Sequence, residues 1–112
     1  MSHVKLPAEP LPLAAFSAAD CRGSVHREDG ALMVRLGGAA EFRVKDDLER
    51  LLAEAYRLGD EQGAPQVTVD IRALTFMDGS CLKVVARWFQ KVSDGGNPFR
   101  VVILSDPSRP WQ

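Results

Sequence analysis

The sequence predicts an α/β fold: a mixed sheet of four to five strands, with helices mainly on one face, in the order β-β-α-β-α-β. Three observations carry that prediction. Short runs of alternating apolar residues are interleaved with two longer segments whose apolar residues recur at helical spacing. Glycine- and proline-containing breaks separate these runs. Within the strands, polar residues fill alternate positions, so one sheet face is built for burial and the other is not.

The elements follow in order. Residues 1–15 hold Pro7, Pro10 and Pro12 among small residues, and are expected to form a flexible lead-in. Residues 16–112 then make one domain, as the length suggests. "SVHRED", Gly30 and "ALMVRL" predict a hairpin turning at Glu28-Asp29-Gly30. Leu32, Val34 and Leu36 alternate with Met33 and Arg35, the pattern of a strand with one buried face. "GGAAEF" breaks that pattern. A helix is expected over 45–58, with Leu48, Leu51, Leu52, Ala55 and Leu58 on one side. Asp46 and Asp47 suit the positive end of its dipole, and Gly59 and Gly63 mark its stop.

"QVTVDIRAL" gives the next strand, with Val67, Val69 and Ile71 on one face and Thr68, Asp70 and Arg72 on the other. A second helix begins near Gly79 or Ser80, with an apolar stripe of Leu82, Val85, Ala86, Phe89 and Val92. "SDGGNP" ends it, "FRVVILSD" is the last strand, and "PSRPWQ" is a short tail. The β-α-β units call for right-handed parallel crossovers. Arg35, Asp70 and Arg100 are placed on the opposite sheet face, as a solvated surface with weak ion pairs.

Composition excludes several function classes. With 46% hydrophobic and 26% charged residues, the chain is ordinary globular material. Fourteen basic residues face fifteen acidic ones, so no basic excess suits a nucleic-acid backbone. No apolar run approaches the roughly 20 residues that a membrane-inserted helix needs, and the N-terminus is a poor signal peptide. His3 and His26 have no second ligand at metal-site spacing, and no pattern calls for a cofactor. Cys21 and Cys81 are expected as two reduced thiols of a cytoplasmic protein.

The most informative stretch is "LTFMDGSCLKVVARW", where a strand becomes a helix across Asp78-Gly79-Ser80. Four readings apply. Asp78 or Ser80 caps the helix by accepting a free backbone N–H, with Gly79 permitting the sharp turn. A phosphate loop would carry more glycines, and "MDGSCLK" matches neither the Walker nor the dinucleotide pattern. A nucleophile at Ser80 or Cys81 would need a base, and neither histidine lies beside the corner in this topology. Last, an exposed strand-to-helix turn with its adjoining helix makes a compact docking surface.

"VTVDIRALTFMDGSCLKVVARWFQKV" resembles the signature region of STAS domains, the anti-sigma-factor-antagonist family. There, a strand of the form "vvlDls" leads through "l-x-F-M/I-D-S-S-G-L" into a helix. Val67, Val69 and Asp70 match in the strand. Leu74, Phe76, Met77, Asp78, Ser80 and Leu82 match in and after the corner. The resemblance spans residues 24 to 106. It implies a non-catalytic, cytoplasmic bacterial module of transcription regulation that docks on an anti-sigma factor or serine-kinase-like regulatory protein. Phosphorylation of the corner serine would switch docking off by adding a dianion beside Asp78. The expected partner-binding residues are Asp78, Gly79, Ser80, Lys83 and Arg87, with Gln90 on the same polar side and Trp88 as semi-buried core.

This sequence departs from that pattern at two positions of the corner, Gly79 and Cys81. Gly79 stands where the family carries its phosphorylated serine, Ser80 matches the second serine, and Cys81 replaces a glycine. The readings that follow, in order, are a docking partner that is not phosphorylated, phosphorylation taken over by Ser80, and service in a different regulatory system. The family's helix after the last strand is expected to be missing here. The sheet face left bare would be covered by Trp111 or by a second subunit in a homodimer. The alternative function is a STAS-like cytosolic subunit of a membrane lipid or solute transport system, or a small-ligand-binding module.

Overall fold

The computed structural model describes residues 12–95 and 99–109. Among them the chain forms strands β1 (Ala14–Ala18), β2 (Cys21–Glu28) and β3 (Ala31–Ala40), a 3-10 turn (Phe42–Val44) and helix α1 (Lys45–Gln62). Strand β4 (Gln66–Met77), helix α2 (Gly79–Asp94) and strand β5 (Arg100–Leu104) follow. The five strands lie in sequence order, β1-β2-β3-β4-β5. The first two pairings are antiparallel and the last two parallel. Parallel neighbours in sequence order require each helix to cross over with the same hand, so α1 and α2 share one sheet face. They pack together there, and the Trp88 indole N–H donates to the Leu52 carbonyl at 2.6 Å.

Helix-facing residues of the strands are the core. Val25, Leu32, Val34 and Val67 are fully or almost fully buried, against Leu48, Leu52 and Ala55 of α1. The hairpin turn falls at Asp29 and Gly30, both with positive φ (52° and 82°), which is the twist a two-residue turn needs. The uncovered face carries Arg35 and Asp70 as direct cross-strand neighbours, and Arg100 opposite Gln66. Asp70 is not the solvated residue expected. It is buried, and the Arg72 guanidinium grips it through two hydrogen bonds of 2.9 Å.

Four expectations need correction. Ala14–Ala18 forms a strand ahead of the expected hairpin, because Ala14, Phe16 and Ala18 alternate toward the core. "GGAAEF" does not end β3. Gly38, at φ 86°, lets the strand shift register while passing the Asp20 carbonyl, which an added Cβ would meet at 1.8 Å. Gly59 does not end α1 either. It is buried within the helix under the Phe99 ring, and the left-handed residue that closes the helix is Gly63. In α2 the buried stripe is Cys81, Val84, Trp88 and Val92, with Leu82 and Ala86 exposed. The helix is therefore turned relative to the expected stripe, because the large Trp88 ring fills the centre.

Both cysteines are free and buried. Burial pushes the Cys21 thiol up, and burial with the nearby Asp78 charge pushes Cys81 up to about 11. No helix among the described residues is long and apolar enough to cross a membrane. Pro7, Pro10, His3 and Trp111 lie outside the described residues.

Candidate functional site

The corner grows out of the central strands. Asp78 N–H donates to the Ala40 carbonyl at 2.9 Å, so the end of β4 stays tied to β3. Met77 points into the core at 8% exposure. Asp78 itself is extended (φ −82°, ψ 174°), which places it as the N-cap of α2. Its Oδ1 accepts the Ser80 hydroxyl at 2.7 Å and the Cys81 N–H at 3.0 Å. The Ser80 hydroxyl, then the Cys81 N–H, with a further backbone bond from Phe42, hold the Asp78 carboxyl below its usual range. The Cys81 thiol donates to the Glu41 carbonyl at 3.4 Å, which sews the 41–44 turn onto the first turn of α2.

This geometry sorts the four readings. Capping is present, with Asp78 as the cap. An anion would compete with a carboxylate already seated at the helix start. Asp78, held below the usual range, is a weak base for the Ser80 hydroxyl, and Cys81 is buried with a raised thiol. His26 bonds Ser24 within β2 at 2.9 Å. No group of three or more His, Cys, Asp or Glu among the described residues could hold a metal.

Of the expected site residues, the corner brings Asp78, Gly79 and Ser80 together. Asp78 and Ser80 are half-buried and Gly79 exposed. Gly79 is not what permits the turn. It is the first residue of α2, its φ is not positive, and a Cβ built on it meets nothing within 4 Å. The bend is made by the extended backbone of Asp78, and Gly79 leaves a bare spot beside the carboxylate. Lys83, Arg87 and Gln90 are exposed along α2, three and four residues apart on one side of the helix. Trp88, at 6% exposure, belongs wholly to the core.

The sequence reading missed the apolar rim. Phe42 is 67% exposed, Phe76 49% and Leu82 51%, and all three flank Asp78: Phe42 through its N–H, Phe76 and Leu82 along the chain. In the sequence Phe76 stands only as a motif match, and Leu82 as a motif match and a member of the expected buried stripe. Their exposure follows from the register shift between Gly38 and Ala39 and from the turn of α2, neither of which periodicity reports.

No family model and no curated protein matches the sequence. Solved structures do. An anti-sigma factor antagonist from Mycobacterium paratuberculosis superposes with a TM-score of 0.66 at 20% identity, over 86% of this chain and 77% of that one. The STAS domain of an antisigma-factor antagonist from Rhodobacter sphaeroides gives 0.59 at 19%, over 79% and 89%. The phosphorylated form of the Bacillus cell fate determinant SpoIIAA gives 0.53 at 18%, over 76% and 72%. The chain has the STAS-like fold: a mixed five-stranded sheet covered by two helices on one face.

Proposed function

We propose that this chain is a regulatory docking module whose partner, an anti-sigma factor or serine-kinase-like regulatory protein, grips the corner at Asp78, Gly79 and Ser80. Lys83 and Arg87 of α2 extend the contact. The observation that carries this reading is the surface itself: a rigidly capped, charged corner with three exposed apolar residues next to it, Phe42 bonded to Asp78 through its backbone, and Phe76 and Leu82 within four residues along the chain. Exposed apolar residues around fixed polar groups are what a protein interface needs at its centre. The likeness to antagonists of anti-sigma factors supports the kind of partner.

The contact is not switched at the family's usual place. Gly79 offers no hydroxyl there, and the Ser80 hydroxyl is spent on the Asp78 cap. The module is thus a docking partner that is not phosphorylated, acting in the cytoplasm of a bacterium without catalysis of its own. Affinity capture from the native cell, comparing wild type with Asp78→Lys, tests this. Loss of one dominant partner is expected, with Asp78→Asn, which retains capping ability, as the folding control. An unchanged partner set for Asp78→Lys contradicts the reading.

A further inference from the structure

The uncovered face of the sheet carries a hollow of about 400 Å³ that spans β1 to β4. Strand alternation builds it. In β2, Cys21, Gly23 and Val25 are buried toward the helices, so Arg22, Ser24 and His26 share the opposite face. Register sets Ser24 opposite Arg35, and Arg22 opposite Gly37, which in turn stands opposite Ala73 of β4. Between these pairs β3 advances two residues, from Arg35 to Gly37, and β4 advances three, from Asp70 to Ala73. The extra residue is a bulge, and it puts an alanine beside a glycine in the middle of the sheet. The floor is low there, between long neighbours.

Gly37 does more than leave room. A Cβ added to it would meet Cζ and Nη2 of Arg22 at 2.8 Å, so the guanidinium lies over the bare Gly37 backbone. No described residue pairs with that guanidinium. Arg35 turns Nη1 to Glu28 at 2.8 Å, and its Nε stands 3.9 Å from Asp70, which Arg72 already holds. Its remaining N–H groups have no partner among the described residues. Ser24 and His26 bond one another at 2.9 Å. No carboxylate lines the hollow; its charged and titratable liners are Arg22, Arg35 and His26.

This set selects an anion of a particular shape. Arg22 and Arg35 stand at diagonal positions of neighbouring strands, about 7–8 Å apart at the backbone, so both can reach one acceptor group. A carboxylate offers two oxygens, which one guanidinium fork satisfies. A phosphate monoester offers three and close to two charges, enough for both forks. The volume is that of a small-ligand site and exceeds what a bare inorganic ion fills.

We propose that this hollow binds a small organic phosphate monoester, its phosphate held by Arg22 and Arg35 beside Ser24 and His26, and its organic part lying toward Ala15 and Ala73. The site lies apart from the corner and does not rest on the docking reading.

The test is an NMR titration of the isotope-labelled full chain, at fixed ionic strength, with glycerol 3-phosphate, adenosine 5′-monophosphate, succinate and inorganic phosphate. Saturable shifts of Arg22, Ser24, Arg35 and Gly37 are expected with an ester, and the tighter ester names the source of the phosphate. Arg22→Gln and Arg35→Gln should each weaken binding about tenfold, the loss of one charge-assisted contact. Gly37→Ala should melt at the wild-type temperature, because φ is not positive and only the movable end of Arg22 obstructs the new Cβ, yet it should bind more weakly. Glu28→Gln, which releases Arg35, should tighten binding, a gain that no misfolded variant produces. Succinate binding as tightly as the esters overturns the choice of phosphate. Inorganic phosphate binding as tightly reduces the hollow to a counterion patch and overturns the proposal too. So does the lack of any saturable shift at millimolar ester, or binding unchanged by Arg22→Gln.

Discussion

Two substitutions at Gly79 separate what the corner needs to fold from what it needs to bind. A Cβ at this position meets nothing within 4 Å, and the backbone is helical with ordinary φ. Gly79→Ser therefore introduces no clash and no strain. Serine is the better helix former by about 0.5 kcal/mol, and it also restricts the unfolded chain. For a domain of this size that corresponds to a Tm rise of about 2–3 °C. Gly79→Glu fits the same space. Its charge is favoured by the α2 dipole and disfavoured by Asp78, so stability should stay within about 0.5 kcal/mol of wild type. Binding should part the two. An unpaired charge trapped in a contact costs about 2–5 kcal/mol, well over tenfold in affinity. Thermal melts and capture of the dominant partner read both quantities. The expected result is two folded proteins, of which only Gly79→Ser keeps the partner. A Tm loss of several degrees in Gly79→Ser would refute the claim that the turn does not depend on glycine. Full partner retention by Gly79→Glu would refute the placement of this spot in the interface.

Other substitutions probe the scaffold. Trp88→Phe removes the 2.6 Å bond to the Leu52 carbonyl and should cost about 1 kcal/mol, while Trp88→Ala should cost about 3–5 kcal/mol. Urea midpoints with an unchanged slope would show both. Acid should weaken the fold through Asp70 and Asp78. Both carboxyls are held below their ordinary value, Asp70 chiefly by the Arg72 guanidinium and Asp78 by the Ser80 hydroxyl. Groups depressed in the folded state contribute above the unfolded pKa of about 4, and the contribution disappears as pH falls through the folded values. Stability should hardly depend on these two groups above pH 5 and should drop below pH 4. Asp70→Asn should flatten part of that drop, and an unaltered acid limb would discount the Arg72 grip.

The alternation of Leu32, Val34 and Leu36, and of Val67 and Val69, was enough to give the sheet and its buried face, because strand periodicity is written in the side chains themselves. The cap was legible to within two residues, Asp78 or Ser80, because either side chain can accept a free backbone N–H at a helix start. What stayed hidden depended on register. The shifts around Gly38 decide that Phe76 faces outward, and the size of Trp88 decides how α2 is turned and so which of its apolar residues, Leu82 among them, is left on the surface. Short Ala14–Ala18 gives a weak strand signal, because Pro10 and Pro12 precede it closely and two of its three core-facing residues are alanine. The charged candidates Lys83 and Arg87 were found because helical spacing alone puts them on the outside. The exposed apolar residues beside the corner and the hollow on the uncovered face were not, since they exist only where separate elements meet.

Hydrogen exchange on the complex with the captured partner tests the docking corner most directly. Protection gained on binding should concentrate in residues 76–83, spread along α2, and leave the β1–β3 uncovered face at its free rate. Protection gained around Ser24, Met33 and Arg35 with residues 78–82 unchanged would contradict it.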